Sequence, residues 1–195
     1  DFDPGELTAA LTKHFGDWAS PKPFERIARN PHPAQAETVI LDTPDKANAT
    51  FALATAFDLR DDDADYPAVF LANLILGGGG SSRLVNRIRQ TEGLSYSVRA
   101  NLQVGAIDRA AGFTASGICA PQNAEKALAC ARDELAKLLA KGVTPAELDD
   151  ARKGHRQSIE VQLSNDAALA GMLASGLYHG RTLKFAEEQL AKIDA

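Results

Sequence analysis

Histidines are the side chains in this 195-residue chain best suited to bind a metal ion. Zinc enzymes hold their metal with closely spaced histidines and acidic residues, typically two histidines on one helix with a glutamate between or beside them. The four histidines are His14, His32, His155 and His179. They are scattered along the chain and form no such motif in either direction. The sequence therefore predicts no metal site, and His155 is expected to be a packed or half-exposed histidine on a predicted helix instead.

A run of glycines at positions 77–80, followed by Ser81, Ser82 and Arg83, is the second candidate site. Glycines before a helix N-terminus present backbone N–H groups that bind anions. Here the run follows a predicted helix rather than a strand, and no lysine precedes the serines as a nucleotide-binding phosphate loop requires. We favour a flexible joint with a serine cap. Nucleotide binding stays an alternative that saturable binding would reveal.

Composition and charge argue against several classes of protein. The net charge of -5 without long basic runs disfavours a nucleic-acid partner. No stretch reaches the roughly 18 apolar residues of a membrane span, and the acidic first residues predict no signal peptide. Cys119 and Cys130 are too few for a disulfide framework and are expected to be small buried residues. The acidic cluster at residues 58–65 is expected to be a solvated loop without chemistry.

Periodicity and capping signals predict the elements that carry these residues. A capped helix starts at Pro4 and ends at Gly16, and four prolines between positions 21 and 33 indicate an extended connection. Strands are predicted at residues 38–41, 49–57, 94–104 and 110–118, the last two as a hairpin. Helices are predicted at residues 67–76, 83–90, 121–142, from 145, at 166–177 and from 183. The helix from 145 follows a capping box formed by Thr144 and Glu147.

The order of these elements predicts an α+β fold, because strands do not alternate singly with helices. We expect an antiparallel sheet of about four to six strands with helices packed on one side, in one domain spanning residues 1–195. On the strand at 94–104, strict alternation would place Tyr96 with Leu94 and Val98 on the apolar face.

Two segments of this sequence carry a family resemblance. Residues 76–84 read Leu-Gly-Gly-Gly-Gly-Ser-Ser-Arg-Leu, and residues 87–98 read Arg-Ile-Arg-Gln-Thr-Glu-Gly-Leu-Ser-Tyr-Ser-Val. Together they closely resemble the C-terminal-type, non-zinc domain of the insulinase/pitrilysin family of zinc metallopeptidases. The resemblance extends more weakly over nearly the whole chain. Residues 1–6 resemble the start of that domain, and residues 15–18 resemble the end of its first helix.

The resemblance implies a place in a larger peptidase. Members of this family close two homologous lobes around a peptide, and the N-terminal domain of one lobe holds Zn²⁺ through an inverted histidine motif. The C-terminal-type domain of the opposite lobe contributes an arginine and a tyrosine, seven positions apart, which contact the substrate near the scissile bond. Arg89 and Tyr96 match that pair. The glycine run implies further substrate contacts at Gly78, Gly79, Gly80 and Ser81.

These implications define the expected function. The chain would be an accessory substrate-binding domain of a zinc endopeptidase, with no cofactor of its own and with Zn²⁺ in a partner lobe on the same chain or a second subunit. The isolated chain is expected to be inactive. Bacterial relatives are often exported, so the resemblance suggests the periplasm.

Two alternatives remain open from the sequence. Tyr96 can instead be a core tyrosine, with Arg89 an ordinary surface residue. The whole chain can also be a catalytically inactive structural or assembly module, as some proteins of this fold are.

Overall fold

The structure is a computed structural model that describes residues 2–32 and 35–195. Its α-helices are α1 (Pro4–Phe15), α2 (Tyr66–Asn73), α3 (Ala124–Lys141), α4 (Pro145–Leu163), α5 (Asp166–Tyr178) and α6 (Leu183–Asp194). Its strands are β1 (Ala49–Phe57), β2 (Ser95–Val104) and β3 (Ala111–Cys119). Two π-helical stretches are named here the first π segment (Leu74–Gly78) and the second π segment (Val85–Thr91), and Pro121–Asn123 is a 3-10 turn.

The three strands form one antiparallel sheet in the order β1-β3-β2. The hairpin of β2 and β3 and the strand β1 confirm three predicted strands, and the α+β class is confirmed. Within the described ranges the sheet has three strands rather than four to six. The strand predicted at residues 38–41 is wrong, because that stretch lies exposed outside regular structure. Among the residues that the structure describes, it has no neighbouring strand to accept its backbone hydrogen bonds.

Helices and π segments cover only one face of the sheet. That inner face presents Phe51, Val98, Ala100 and Ala115. They pack against Leu76 of the first π segment, Ile88 of the second, Leu84 just before the second, and Ala127 and Ala131 of α3. Leu84 and Ile88 are fully buried. Each such side chain contributes about 1.5–3 kcal/mol by leaving water.

The opposite face of the sheet, called here the outer face, carries short or polar side chains. Its residues are Thr50, Ala52, Ala54 and Ala56 of β1, Ser97, Arg99, Asn101 and Gln103 of β2, and Gly112, Thr114, Ser116 and Ile118 of β3. The alternation of buried and exposed positions along β2 confirms the expected solvated face.

Capping signals read from the sequence are confirmed at two helices. The Asp3 carboxylate accepts a hydrogen bond from the Glu6 N–H at the start of α1. At α4, Thr144 and Glu147 form both bonds of a capping box. Gly142 ends α3 with a φ of 69°, a conformation that favours glycine. The serine cap expected before the helix at position 83 is wrong, since neither Ser81 nor Ser82 forms a side-chain cap there.

The acidic cluster at residues 58–65 is an ion-paired loop rather than a freely solvated one. Its carboxylates meet three arginines: Arg60 pairs with Asp62, Arg109 with Asp58 and Asp63, and Arg181 with Asp61. Leu59 is buried beneath them. The sequence prediction missed this because two of the three arginines come from distant parts of the chain.

Two further predictions can be compared with the structure. Cys119 and Cys130 are both buried free thiols, as expected, and burial raises the pKa of Cys119. No helix in residues 2–32 or 35–195 combines the length and apolarity that crossing a bilayer requires.

Candidate functional site

Arg89 and Tyr96 lie together at the surface. The guanidinium carbon of Arg89 is 4.4 Å from the centre of the Tyr96 ring, within the range of a cation–π contact. Both side chains are exposed, and 82% of the Tyr96 surface is accessible to solvent. The structure therefore contradicts the alternative of a core tyrosine.

An irregularity in β2 turns Tyr96 outward. Ser95 pairs with Cys119 and Ser97 pairs with the adjacent Ile118, so Tyr96 is an extra residue in a β-bulge. The expectation that Tyr96 shares the apolar face with Leu94 and Val98 is wrong for this reason. Ser95 takes the inward position instead, with 5% exposure.

The buried Ser95 hydroxyl holds this bulge in place. It donates a hydrogen bond of 2.7 Å to the backbone carbonyl of Ile118 on β3. The serine side chain thus donates a hydrogen bond to a carbonyl beside the point where the regular backbone pairing of β2 and β3 is interrupted. Nothing in the sequence pattern singled out Ser95, because a serine beside a tyrosine in a strand is normally read as a solvent-facing residue.

Arg89 is positioned by the second π segment. Hydrogen bonds from the Glu92 N–H to the Arg87 carbonyl and from the Leu94 N–H to the Ile88 carbonyl close turns that are wider than α-helical ones. Gly93 follows with a φ of 61°. The buried Ile88 anchors the segment, while the neighbouring Arg89 faces solvent.

The charged side chains Arg87 and Glu92 at the second π segment form ion pairs, whereas Arg89 forms none among the described residues. The Glu92 carboxylate binds both Arg87, at 3.1 Å, and Lys126, at 2.8 Å. The hydrogen bond from Lys126 is the main cause that lowers the pKa of Glu92. Across residues 2–32 and 35–195, Arg89 forms no ion pair with a carboxylate, so its donors are available to a ligand.

An ion pair between Arg83 and Glu147 anchors the residues just before the second π segment. Arg83 donates to both oxygens of Glu147, at 2.6 and 2.8 Å, and to the carbonyl of Gly142 at 2.9 Å. Hydrogen bonding from Arg83 is the largest cause that lowers the pKa of Glu147 to about 2. Arg83 is thereby tied to the start of α4.

The glycine run has two parts with different surroundings. Gly77 is buried where the first π segment meets β2, and a Cβ there would lie 2.5 Å from the Ala100 nitrogen. Gly78, Gly79, Gly80 and Ser81 are exposed. The Ser81 carbonyl accepts a hydrogen bond from the Asn86 side chain at 2.9 Å, which connects the run to the second π segment.

The histidines of this chain do not fit a zinc ion. In the described parts of the chain, no three histidine, cysteine or acidic side chains come close enough to hold a metal. His155 packs against Phe70 with ring centres 4.7 Å apart, as expected for a helix histidine, and burial lowers its pKa.

The chemistry available at the site is hydrogen-bond donation. A guanidinium and a phenol next to each other can both donate to one oxygen or to neighbouring oxygens. Neither side chain is among the usual catalytic nucleophiles, and the guanidinium has no acceptor atom. The pair is therefore suited to bind a ligand or to stabilise negative charge.

Comparison with known proteins identifies the family. A family model described as the peptidase M16 inactive domain matches residues 1–154. An uncharacterized zinc protease of Mycobacterium leprae is 32% identical over 128 residues, covering 65% of this chain and 28% of that protein. A non-peptidase homolog of Helicobacter pylori is 29% identical over 120 residues, covering 61% of this chain and 27% of that protein. The chain thus spans little more than a quarter of the length of these relatives.

Similar solved structures agree with this family. The peptidase M16 inactive domain from Pseudomonas fluorescens superposes with a TM-score of 0.66 at 27% identity, covering 76% of this chain and 34% of that chain. A protease from Helicobacter pylori shares the fold with a TM-score of 0.77 at 19% identity, covering 99% of this chain and 46% of that chain. The resemblance seen in the glycine and arginine–tyrosine segments is confirmed. This chain belongs to the peptidase M16 inactive domain family.

Proposed function

We propose that this chain is the accessory substrate-binding domain of a zinc-dependent endopeptidase. Arg89 and Tyr96 would contact the peptide near the scissile bond, while another domain holds the zinc and performs hydrolysis. The observation that carries this proposal is the contact of the two side chains, 4.4 Å apart on an exposed surface.

The chemistry of peptide hydrolysis gives these two side chains a role. When a peptide carbonyl is attacked, its oxygen gains negative charge, and donors placed beforehand stabilise that charge. The Arg89 guanidinium and the Tyr96 hydroxyl are such donors. The bulge at Tyr96 and the π turn at Arg89 bring the two donors to the same place on the surface, where both can bind one developing charge.

The exposed part of the glycine run supports contact with an extended peptide. A Cβ at position 80 would meet nothing within 4 Å, and the backbone of Gly79, Gly80 and Ser81 faces solvent. A substrate backbone can approach the glycines closely because they carry no side chain. We assign Gly78, Gly79, Gly80 and Ser81 to substrate binding on this basis.

The partner in this proposal is a zinc-bearing N-terminal-type lobe. Curated relatives are roughly four times as long as their matched segments, which leaves ample length for such a lobe on the same chain. A second subunit is the other source. A periplasmic protease of Escherichia coli shares the fold at 21% identity with a TM-score of 0.67, and we place this protein in the periplasm as part of the proposal.

Substitution of Arg89 in the intact protein, together with its zinc-bearing lobe, tests the assignment. Arg89→Ala is expected to lower kcat for a peptide substrate about a hundredfold, as loss of one oxyanion donor typically does. Tyr96→Phe removes only the hydroxyl and should also lower kcat, by a smaller factor. The matched control is Arg132→Ala, an exposed arginine on α3.

Activity of the isolated 195-residue chain is a second readout. We expect no hydrolysis by this chain even with zinc added. Zinc-dependent cleavage by the purified chain would contradict the assignment of hydrolysis to another domain.

A structural or assembly module is the second candidate function. It is favoured by the relative in Helicobacter pylori, which is described as a non-peptidase homolog. In that case Arg89→Ala would leave any peptidase activity of the assembly unchanged.

A further inference from the structure

Charge is almost absent from the sheet. Arg99 is the only charged residue in the strands β1, β2 and β3. The chain as a whole has 26 acidic and 21 basic residues, with a net charge of -5. An acidic protein thus presents one sheet face on which the only formal charge is positive.

Arg99 lies on the outer face of the sheet, next to residues with short side chains. It pairs across the sheet with Ser116, which in turn pairs with Ala52 of β1. Ser97 and Asn101 flank it along β2. Arg99 is exposed and forms no ion pair within residues 2–32 and 35–195. Its cross-strand neighbours Ser116 and Ala52 have short side chains, and Arg99 is exposed.

Among the described residues, the outer face is exposed around Arg99 and is covered at its far end. There, the connection at residues 26–32 lines a cavity with Ala56, Gln103 and Gly112. Arg26 holds this connection through two bonds of 2.6 Å to Asp108, in the turn between β2 and β3. The stretch from Tyr96 to Asn101 is left accessible to a ligand.

We propose that the outer face binds an acidic segment of the peptide substrate, with Arg99 pairing a substrate carboxylate. This inference rests on the proposed function, in which Tyr96 lies near the scissile bond. Tyr96 and Arg99 are three residues apart, about 10 Å along a strand with a rise of roughly 3.3 Å per residue. An extended peptide has the same rise, so the paired carboxylate lies about three residues from the cleaved bond.

The side chains of the outer face favour a negatively charged peptide. A guanidinium binds a carboxylate with two parallel hydrogen bonds, and Ser97 and Asn101 offer further polar contacts beside it. No carboxylate of the three strands competes for Arg99. A lysine in the substrate would be repelled by Arg99 and, nearer the bond, by Arg89. Exposed ion pairs are weak, so the expected preference is about two- to fivefold per charge.

Direct binding tests the proposal without requiring hydrolysis. Fluorescein-labelled ten-residue peptides that differ only in carrying three Glu, three Gln or three Lys residues are titrated into the intact protein, and Kd is measured by fluorescence anisotropy. The expected order of affinity is Glu above Gln above Lys. Arg99→Gln should bring the Glu and Gln peptides together, and Arg99→Glu should reverse the order. Arg132→Gln changes the net charge equally and should leave the order intact.

Two results would overturn the inference. One is absence of measurable binding for all three peptides, and the other is an unchanged order of affinity in Arg99→Glu. A folded variant is verified by its unfolding midpoint, which should not move because Arg99 is exposed.

Cleavage assays separate this inference from the proposed function. With peptides carrying Glu or Gln three residues to either side of the bond, Arg89→Ala should lower kcat for both without altering their ratio of kcat/KM. Arg99→Gln should change the ratio with little effect on kcat. If Arg89→Ala has no effect while Arg99 variants still alter selectivity, the role of Arg89 fails and the acidic-peptide surface stands.

Discussion

Gly77→Ala is the substitution whose consequence the structure defines most sharply. An added Cβ would lie 2.5 Å from the backbone nitrogen of Ala100, 2.7 Å from its Cβ and 2.9 Å from a methyl carbon of Leu84. Real Cβ atoms are essentially never found so close to other heavy atoms. The obstructing atoms belong to the centre of β2 and to a fully buried leucine, so neither can move away at low cost.

The magnitude follows from two opposing effects. Alanine in a helical segment is favoured over glycine by about 0.5–1 kcal/mol. Overpacking of a dense core costs about 1–3 kcal/mol, and a clash with backbone belongs at the upper end of that range. We therefore expect a net loss of about 2 kcal/mol. For a chain of this size, that loss lowers Tm by roughly 4–8 °C.

Gly80→Ala provides the matched control in the same run. Nothing lies within 4 Å of a Cβ at position 80, so this variant should be as stable as the wild type or slightly more stable. Both variants are compared by urea unfolding and by thermal melting. Equal stability of the two variants would refute the conclusion that close packing requires glycine at position 77. The whole glycine run would then be better explained as a flexible joint.

Two further predictions concern the groups that hold the site. Ser95→Ala removes the donor to the Ile118 carbonyl and should cost about 1 kcal/mol in urea unfolding, whereas Ser95→Thr, which keeps the hydroxyl, should retain most of the stability. Glu147 has a folded pKa of about 2 against an ordinary value of 4.5, so its contribution is complete above about pH 4.5 and is lost as pH falls towards about 2. The stability difference between wild type and Glu147→Gln should therefore shrink over that interval, and a constant difference would contradict the Arg83 pairing.

Local signals in the sequence predicted most of the elements. The caps at Asp3 and Thr144 are confirmed because a cap depends on residues within one turn of each other. The hairpin of β2 and β3 is confirmed because alternation and a short turn define it. Residues 38–41 have the same apolar character but lack a neighbouring strand, and a strand exists only as part of a sheet.

Features that depend on distant partners were not predicted. The acidic loop at residues 58–65 looked solvated because Arg109 and Arg181 lie far from it in sequence. The pairing of Arg83 with Glu147 likewise joins residues 64 positions apart. Opposite charges are frequent in any sequence of this composition, so charge alone does not indicate which ones meet.

The family resemblance proposes Arg89 and Tyr96 as site residues, but the sequence pattern predicts the wrong orientation for Tyr96. Arg89 and Tyr96 were assigned from the family resemblance, and strict alternation placed Tyr96 in the core. The bulge reverses that orientation with a single extra residue, because the side-chain period of a strand is two. No pattern of apolar and polar residues around Ser95 signals the extra residue.

The meeting of Arg89 and Tyr96 depends on two departures from regular geometry. A π turn widens the helix that carries Arg89, and a bulge shifts the strand that carries Tyr96, with Gly93 joining them at a positive φ. In a regular strand Tyr96 would point into the core, 180° away from its partner. Both kinds of irregularity are costly within regular elements and recur at functional sites. A surface that only had to be soluble would need neither of them, so their coincidence at this pair favours a ligand-binding role over a purely structural one.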